Sequence, residues 1–540
     1  MHPGIRFRLN ERLYELHENS GILVLDWLRK EQGLTGTKEG CREGDCGACL
    51  VLLGERPAKA KRPGAVEWIP VASCLLALGE LDGRHLITVE GLATKGPTPV
   101  MNEMHNENAS QCGFCSPGIV IALTARLLEG GNVDDAALAS ALEGNLCRCT
   151  GYGAIRRASS RIAADYTNLP LDFDARLAAL ASRGVIPPSL AALMTDLPEP
   201  MGRKHRSRAL SPAHVQSGEP MERTLGGGTD WFVRHPDPET DQENDFTECE
   251  KKLRSIQLGG SVLEIGAATT VREFFANTEV RAIALGRGSA AGIESYEADV
   301  ASPPIRARAT LAGNIANASP VADMTAMLFA LDARLRLGVR PGSEPAGTTR
   351  SEDLHREIAL TDFFIGYKKT AARADERIEA ILLPQADQAR LFSFEKAARR
   401  ARLDIAAVNT AFSCRLANGD GSGKNQGDGR GEGKKNPGEK TSSSKAFTRE
   451  NPPVLHDVRL SAGGVGPTPL LLKEASAYLE GKPVTAANVR ECALLAVTGT
   501  KPISDARGTA AYRSDILERL VMAHFLRLFP ELSLEEELFA

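Results

Sequence analysis

Apolar and polar residues alternate across Ile5–Leu9 and again across Leu13–His17, with Asn10-Glu11 between them. A period of two marks half-buried strands, and the short break marks a hairpin turn. From 23 to 31 the apolar positions fall at 23, 24, 25, 27 and 28, which predicts a short helix. A Gly- and Cys-rich loop follows from Gly33 to Gly47. Strands are then predicted over Ala48–Leu53, over a run ending near Cys74, and over His85–Val89. Hairpin, helix and further strands are the parts of a β-grasp sheet.

The pattern then turns helical over Pro117–Leu128, Ala136–Glu143 and Ala154–Asp165, with Gly130-Gly131 and Gly144-Asn145 as stops. Residues 166–205 are rich in Pro, Leu and Ala with weak order signals and read as a linker lying on the surface. A new α+β region begins near Arg206 and runs to about Pro384, and a smaller one follows to Ala540. Within the last, 418–449 is Gly, Lys, Ser, Asp and Asn with almost no apolar residue. Such a segment cannot bury enough surface to offset its ordering entropy, so a disordered insert is expected between strands Val408–Leu416 and Val454–Leu460. It holds no GxxxxGK[ST] phosphate loop.

The chain has 540 residues, 42% of them hydrophobic and 25% charged, with a formal net charge of −4. That length requires several cores, and the charge gives no reason to expect nucleic acid as a partner. No apolar run is long enough for a bilayer span, and Met1–Arg6 lacks the basic-then-apolar pattern of a secretory signal, so the expected location is the cytoplasm.

Eleven cysteines change the picture, because eight of them lie in the first 150 residues. In a reducing compartment, clustered cysteines point to metal ligation rather than disulfides. Cys41, Cys46 and Cys49 form C-x4-C-x2-C, and Cys74 stands 25 residues after Cys49. That is the plant-type [2Fe–2S] spacing, and glycines at 40, 44 and 47 let the backbone wrap a cluster closely. The four-residue gap argues against a zinc framework built from two CxxC knuckles. Cys112, Cys115, Cys147 and Cys149 form C-x2-C, a 31-residue gap, then C-x-C. Taken alone this group leaves zinc open; beside a plant-type cluster it reads as a second [2Fe–2S] site. Ser116-Pro117 reads as an N-cap followed by Pro, so both cysteine pairs fall at helix ends. Cys249, Cys414 and Cys492 read as ordinary thiols.

The runs GLTGTKEGCREGDCGAC (33–49), QCGFCSPG (111–118) and NLCRCTGY (145–152) resemble the iron–sulfur half of the molybdenum hydroxylase family, which includes xanthine dehydrogenases and aldehyde oxidases. The run Thr224, Leu225, Gly226, Gly227, Gly228, Thr229, Asp230 and Trp231 follows a predicted strand, and its glycines permit close approach to a pyrophosphate. There is no GxGxxG in a βαβ setting, which excludes a Rossmann site. A second element, from Thr310 through Gly313, Asn314, Asn317 and Ser319 to Asp323, is similar to the family's second FAD loop. Asp323 read alone would be a helix N-cap before Met324–Leu331. DFFIGYKKT (362–370) and FEKAARRARLDIAAVN (394–409) continue the likeness, as do 460–467 and 501–513. By resemblance Lys396 contacts the flavin; without it, Lys396 would be a surface charge beside Arg399 and Arg400. Asn317 and Trp231 depart from the residues more usual in these loops.

The resemblance implies an α+β, multidomain chain. A β-grasp [2Fe–2S] ferredoxin domain (1–90) precedes a helical [2Fe–2S]-binding domain (91–166) and a linker (167–205). A two-subdomain PCMH-type FAD-binding domain (206–384) and an α+β C-terminal flavoprotein domain (385–540, with the insert 418–450) complete it. It further implies the members whose iron–sulfur/FAD half is a separate small subunit, as in bacteria. A molybdopterin-binding large subunit would carry the substrate site, in a heterodimer or (αβ)2 heterotetramer. Electrons from a purine would pass through the helical cluster, then the plant-type cluster, to FAD and finally NAD+. Oxidation of an aldehyde or another N-heterocycle, and a stand-alone electron carrier, remain alternatives at this stage.

Overall fold

Alternation at Ile5, Phe7 and Leu9 puts all three side chains into one buried face, and the strand Ile5–Leu9 pairs antiparallel with Arg12–Leu16. The computed structural model describes residues 4–17, 19–57, 65–201, 223–237, 244–246, 253–285, 292–340, 355–384, 390–417 and 447–540. The hairpin turns at Asn10, whose φ is +53°, a conformation that Asn tolerates better than most residues. Next to Ile5–Leu9 runs His85–Ile87 in parallel, then Leu50–Glu55 and Glu67–Ala72, which closes a five-stranded mixed sheet. The predicted helix over 23–31 is one α-turn, Val24–Asp26, that widens into the π-type turn Trp27–Glu31. Trp27 lies edge-on to Phe7 and Tyr14, which anchors the turn across the sheet. This is the β-grasp arrangement.

The helical unit centres on Ser116–Leu128, which is apolar nearly all round and correspondingly buried on all sides. Asp135–Ala141 packs on it, and Gly153–Tyr166 packs in turn on Asp135–Ala141 within the same core. Most of the stretch expected to be a weakly ordered surface linker is folded; its last residues, 202–205, lie outside the described residues. Phe173–Ser182 is a helix capped by Asp172, and Leu177, Leu180, Val185, Ile186, Leu190 and Met194 join the same core as the helical unit. The Trp68 indole then donates to the Met194 carbonyl at 3.2 Å. The sequence hid this helix because it is short and built largely of small alanines, and Pro187-Pro188 follow soon after its end.

The flavin-type region holds a five-stranded sheet ordered His355–Ala359, Arg334–Val339, Glu376–Pro384, Val262–Gly266, Ile256–Gly259. The C-terminal region holds another, ordered Ala284–Leu285, Arg390–Ala397, Val408–Leu416, Leu455–Gly463, Leu470–Leu471, covered by the long helix Ala510–Leu528. Ala284–Leu285 belongs to the preceding region in sequence yet pairs in parallel with Arg390–Ala397. In space the boundary near 385 is therefore crossed by a borrowed strand. The expected insert falls mainly on residues 418–446, which lie outside the described residues, as do Cys249 and the expected domain start at Arg206. Its last residues are packed: Phe447 lies against the C-terminal core, and Arg449 donates to the Leu532 carbonyl at 2.8 Å.

The iron–sulfur and flavin regions meet through buried charges. Glu55, at the end of a ferredoxin strand, takes Arg84 of its own domain at 3.0 Å and Arg254 of the flavin region at 2.7 Å. Arg254 also holds Glu273 at 2.8 Å. Beside them Glu80 pairs with Arg308, both almost wholly buried. Three carboxylates face three guanidiniums, so the group is charge-balanced, as burial demands.

Candidate functional site: two cysteine groups and a flavin cradle

The loop 40–49 bends on glycines in the left-handed region, Gly44 (φ +77°) and Gly47 (φ +67°). The bend gathers four thiols in two pairs. Cys41 is hydrogen-bonded to Cys46, and the Cys49 and Cys74 sulfurs lie 3.4 Å apart. The second group repeats the scheme: the Cys149 and Cys112 sulfurs lie 3.5 Å apart, and Cys115 is hydrogen-bonded to Cys147. Cys115 caps the helix Ser116–Leu128, so Ser116 is its first residue rather than the cap, and its hydroxyl meets Ser110 instead. Among the described residues, no group of three or more His, Cys, Asp or Glu side chains converges on one metal-ion position. Paired thiols suit a group with two irons, each taking two thiolates, and do not suit a single tetrahedral zinc. The hydrogen bond from Cys46 and nearby backbone N–H groups bring the Cys41 thiol down to about 5, while the same bond pushes its partner Cys46 up.

The two cysteine groups touch. Leu146 N–H donates to the Cys46 carbonyl at 3.0 Å, and the Asn145 amide donates to the Gly47 carbonyl at 3.3 Å. A Cβ on Gly118 would overlap the Gly47 carbonyl oxygen, so the helix start beside Cys115 sits directly on the first loop. The groups differ in exposure. Each has one buried pair, Cys49 with Cys74 and Cys115 with Cys147, but the other pair is half-buried in the first group (Cys41, Cys46) and exposed in the second (Cys112, Cys149), near the exposed Phe114 (45%) and Tyr152 (40%).

On the other side the first loop meets the flavin region. A Cβ on Gly44 would overlap the Ile305 side chain, which belongs to the helix Pro303–Arg306 just before the second flavin-type loop. Arg42, between two cysteines, donates to the Pro236 carbonyl and to Asp237, each at 3.2 Å, just beyond the first flavin-type loop.

The two glycine elements that resemble FAD loops are adjacent. Thr224 and Leu225 end the strand Arg223–Leu225; Gly226, Gly227 and Gly228 turn; Thr229 and Asp230 lead into the short helix Trp231–Arg234. The absent side chains make room for protein. A Cβ on Gly226 would overlap the Thr310 hydroxyl, one on Gly227 the Arg308 carbonyl, and one on Gly228 the Phe232 ring. Thr310 caps the helix Leu311–Ala316, accepting from Gly313 N–H at 3.1 Å. That helix has a buried face of Leu311, Ala312 and Ile315, more regular than the sequence suggests. Asn317 at its end donates to Asp230 at 2.9 Å and accepts from Lys368 at 2.8 Å, which joins the two loops and the 362–370 hairpin. Trp231 stacks on His235 with ring centroids 3.4 Å apart. Ser319 lies in the turn that follows, just after Ala318 at φ +49°.

Asp323 heads the helix Asp323–Ala330 but makes no side-chain cap. Its carboxylate instead accepts from Lys396 at 2.7 Å and from Asn409 at 2.5 Å. Lys396 also donates to the Asp299 carbonyl at 2.7 Å and is only 10% exposed, so it is no surface charge. Burial raises the Asp323 carboxyl while Lys396 lowers it, and the net direction is up. Asn409 was legible only as the last letter of a motif. The buried Oδ1 atoms of Asn314 and Asn409 find no donor among the described residues. Buried acceptors left without a donor beside two adjoining glycine turns fit a polar cofactor.

Four family models match in order: a 2Fe–2S iron–sulfur cluster binding domain over 7–78, a [2Fe–2S] binding domain over 88–160, the FAD-binding domain in molybdopterin dehydrogenase over 213–386, and the CO dehydrogenase flavoprotein C-terminal domain over 448–528. The chain is therefore a two-cluster iron–sulfur flavoprotein with four such domains. Its architecture is that of the iron–sulfur and flavin part of the molybdenum hydroxylases, and its curated relatives are xanthine dehydrogenases. That of Emericella nidulans is 28% identical over 89% of this chain and 35% of the relative. That of Blastobotrys adeninivorans is 28% identical over 94% and 39%. The xanthine dehydrogenase/oxidase of Rattus norvegicus is 27% identical over 74% and 32%. The chain thus spans about a third of the length of the curated relatives it matches. Among solved structures, a carbon monoxide dehydrogenase chain from Hydrogenophaga pseudoflava aligns with a TM-score of 0.45 and 21% identity, over 59% of this chain and 93% of that one.

Proposed function

We propose that this chain is the small subunit of a bacterial-type xanthine dehydrogenase, relaying electrons from a molybdopterin-binding partner to NAD+ during purine oxidation. In this reading Cys112, Cys115, Cys147 and Cys149 hold the cluster nearest the partner. Cys41, Cys46, Cys49 and Cys74 hold the second, and residues 224–231, 310–323 and Lys396 form the FAD site. Bound clusters supply one-electron carriers, and bound FAD supplies the exchange between single electrons and a hydride. The chain's own part is placement. The carrying observation is the unbroken line of contacts from Cys147 through Leu146 and Cys46 to Gly44, then to Ile305, Arg308 and Gly227.

The exposed Cys112 and Cys149, flanked by Phe114 and Tyr152, support a docking face for the large subunit, in a heterodimer or (αβ)2 heterotetramer. Among the described residues no helix is long and apolar enough to cross a membrane. Eight unpaired thiols suit a reducing compartment, for which the cytoplasm is our proposal. Affinity purification from the native host tests the whole reading. A co-purified molybdopterin chain with xanthine-dependent NAD+ reduction is expected. Purification of this chain alone, or activity on aldehydes but not purines, would refute the xanthine assignment.

A further inference from the structure

The Glu80 carboxylate is nearly enclosed, and its two oxygens have separate tasks. Oε1 accepts the Ala77 N–H at 2.9 Å, and Oε2 pairs with the Arg308 guanidinium. Ala77 lies three residues after Cys74, on the far side of the short turn Ser73–Leu75. Arg308 is the residue whose main-chain oxygen fills the space that a side chain on Gly227 would need. The helix Trp231–Arg234, which follows the glycines, packs against the Ser73–Leu75 turn. One ion pair therefore closes a short bridge from the Cys74 turn to the Gly226–Gly228 turn. Arg84 braces its ferredoxin end by donating to the Glu80 carbonyl at 2.9 Å. The flavin end is braced in turn: Glu273, held by Arg254, completes a capping box with Thr270, and Thr270 bridges to Thr310 across from Gly226.

We propose that Glu80 and Arg308 are positioning residues that set the Gly226–Gly228 loop at a fixed place relative to the Cys74 side of the plant-type cluster. FAD affinity and flavin-to-cluster spacing both depend on them. The pair touches neither cofactor; it acts through the Arg308 main chain. A buried pair need not stabilise a fold more than apolar residues of similar volume would. Its distinctive contribution is direction, because a carboxylate accepting both an amide and a guanidinium admits one geometry. This inference rests on the flavin reading of residues 226–228.

The test uses the full chain in three forms: wild type, Glu80→Gln, and the double substitution Glu80→Leu with Arg308→Met. The double variant keeps the site filled and apolar, so it folds even if the single variant does not. Titration of flavin-stripped chain with FAD, followed by flavin fluorescence, gives the affinity. Amide exchange over 225–230 in the stripped chain reports the loop. The spin–spin splitting between half-reduced flavin and reduced cluster reports the spacing. Both variants should retain iron and sulfide, bind FAD about tenfold more weakly, exchange faster over 225–230, and show a smaller splitting. If the double variant is folded, carries full iron and matches wild type in all three readouts, the pair is merely structural and the inference fails. If the wild-type chain itself binds no FAD, the flavin reading fails, and the inference with it.

Discussion

Lys396 carries three hydrogen-bonding positions on one ammonium, and the protein commits at least two of them, to Asp323 and to the Asp299 carbonyl. Removing it leaves Asp323 enclosed with only Asn409 for company. Lys396→Met should therefore cost about 3–5 kcal/mol, the penalty of an uncompensated buried charge, and should lower FAD content; urea unfolding and flavin absorbance measure the two. Asp323→Asn leaves the buried Lys396 ammonium with neutral acceptors only, among them the Asp299 carbonyl, and should cost stability for the same reason. At this scale the sequence was partly legible. The first cysteine group is legible in its spacing alone; the second reads as a cluster site only beside the first and by the family resemblance. Lys396 is not legible, because Arg399 and Arg400 make its neighbourhood look like a solvated face, and only the fold reveals that it points inward beside a strand of the opposite run. Asn409 shows the same limit: an Asn at the start of a buried strand has no distinctive periodicity.

Two elements carry testable strain on their packing. The start of helix Ser116–Leu128 rests on the first cysteine loop at Gly118. Gly118→Ala would push the two loops apart, so iron should fall from about four per chain to about two, with loss of one of two EPR signals. An unchanged iron content would show that the contact has slack. The helix Ala510–Leu528 presents His524, fully buried, whose ring nitrogens meet Ser393 and Thr410, each at 2.9 Å. Burial and the nearby Arg527 push this imidazole down to about 3. Between that value and the ordinary 6.5, the unfolded chain takes a proton that the folded one refuses. Stability of the C-terminal sheet should thus fall as pH drops below about 6.5, by up to about 1.4 kcal/mol per pH unit. Calorimetry at successive pH values should show this slope, and His524→Gln should flatten it. Most elements here were legible from period and stop signals, including Val408–Leu416 to the residue. The missed ones have physical reasons. Phe173–Ser182 is small-residue helix next to prolines, and the widening at Trp27 depends on aromatic packing that no local pattern encodes.

For the molecule as a whole, Glu55 ties the seam between the iron–sulfur and flavin regions to acid, while Glu273 beside it, whose carboxyl burial raises, works the other way. Burial alone would raise the Glu55 carboxyl, but Arg254 and Arg84 outweigh it and hold it at about 2. A depressed carboxyl stabilises fully above its unfolded value of 4.5 and loses that contribution as pH falls toward 2. Acid should accordingly loosen the seam between the regions across that window, and small-angle scattering should record an expansion. Glu55→Gln should show less acid dependence from a lower starting stability. Domain order was readable from motifs, but the seam was not, since its partners lie far apart in sequence and carry no shared signal. Nor was the loan of Ala284–Leu285 to the C-terminal sheet, a two-residue strand that only its neighbour defines.

The uneven exposure of the cysteine pairs has a practical side. Both groups keep one pair enclosed, but the other pair is half-buried at Cys41 and Cys46 and open to water at Cys112 and Cys149, so oxygen and chelators reach the second group sooner. A chain handled alone in air should bleach in two stages, the first removing the cluster at 112–149 while FAD and the other cluster persist. The large subunit in our proposal would then serve as a lid against corrosion as much as a source of electrons, and the order in which the protein decays on the bench would mirror the order in which it conducts.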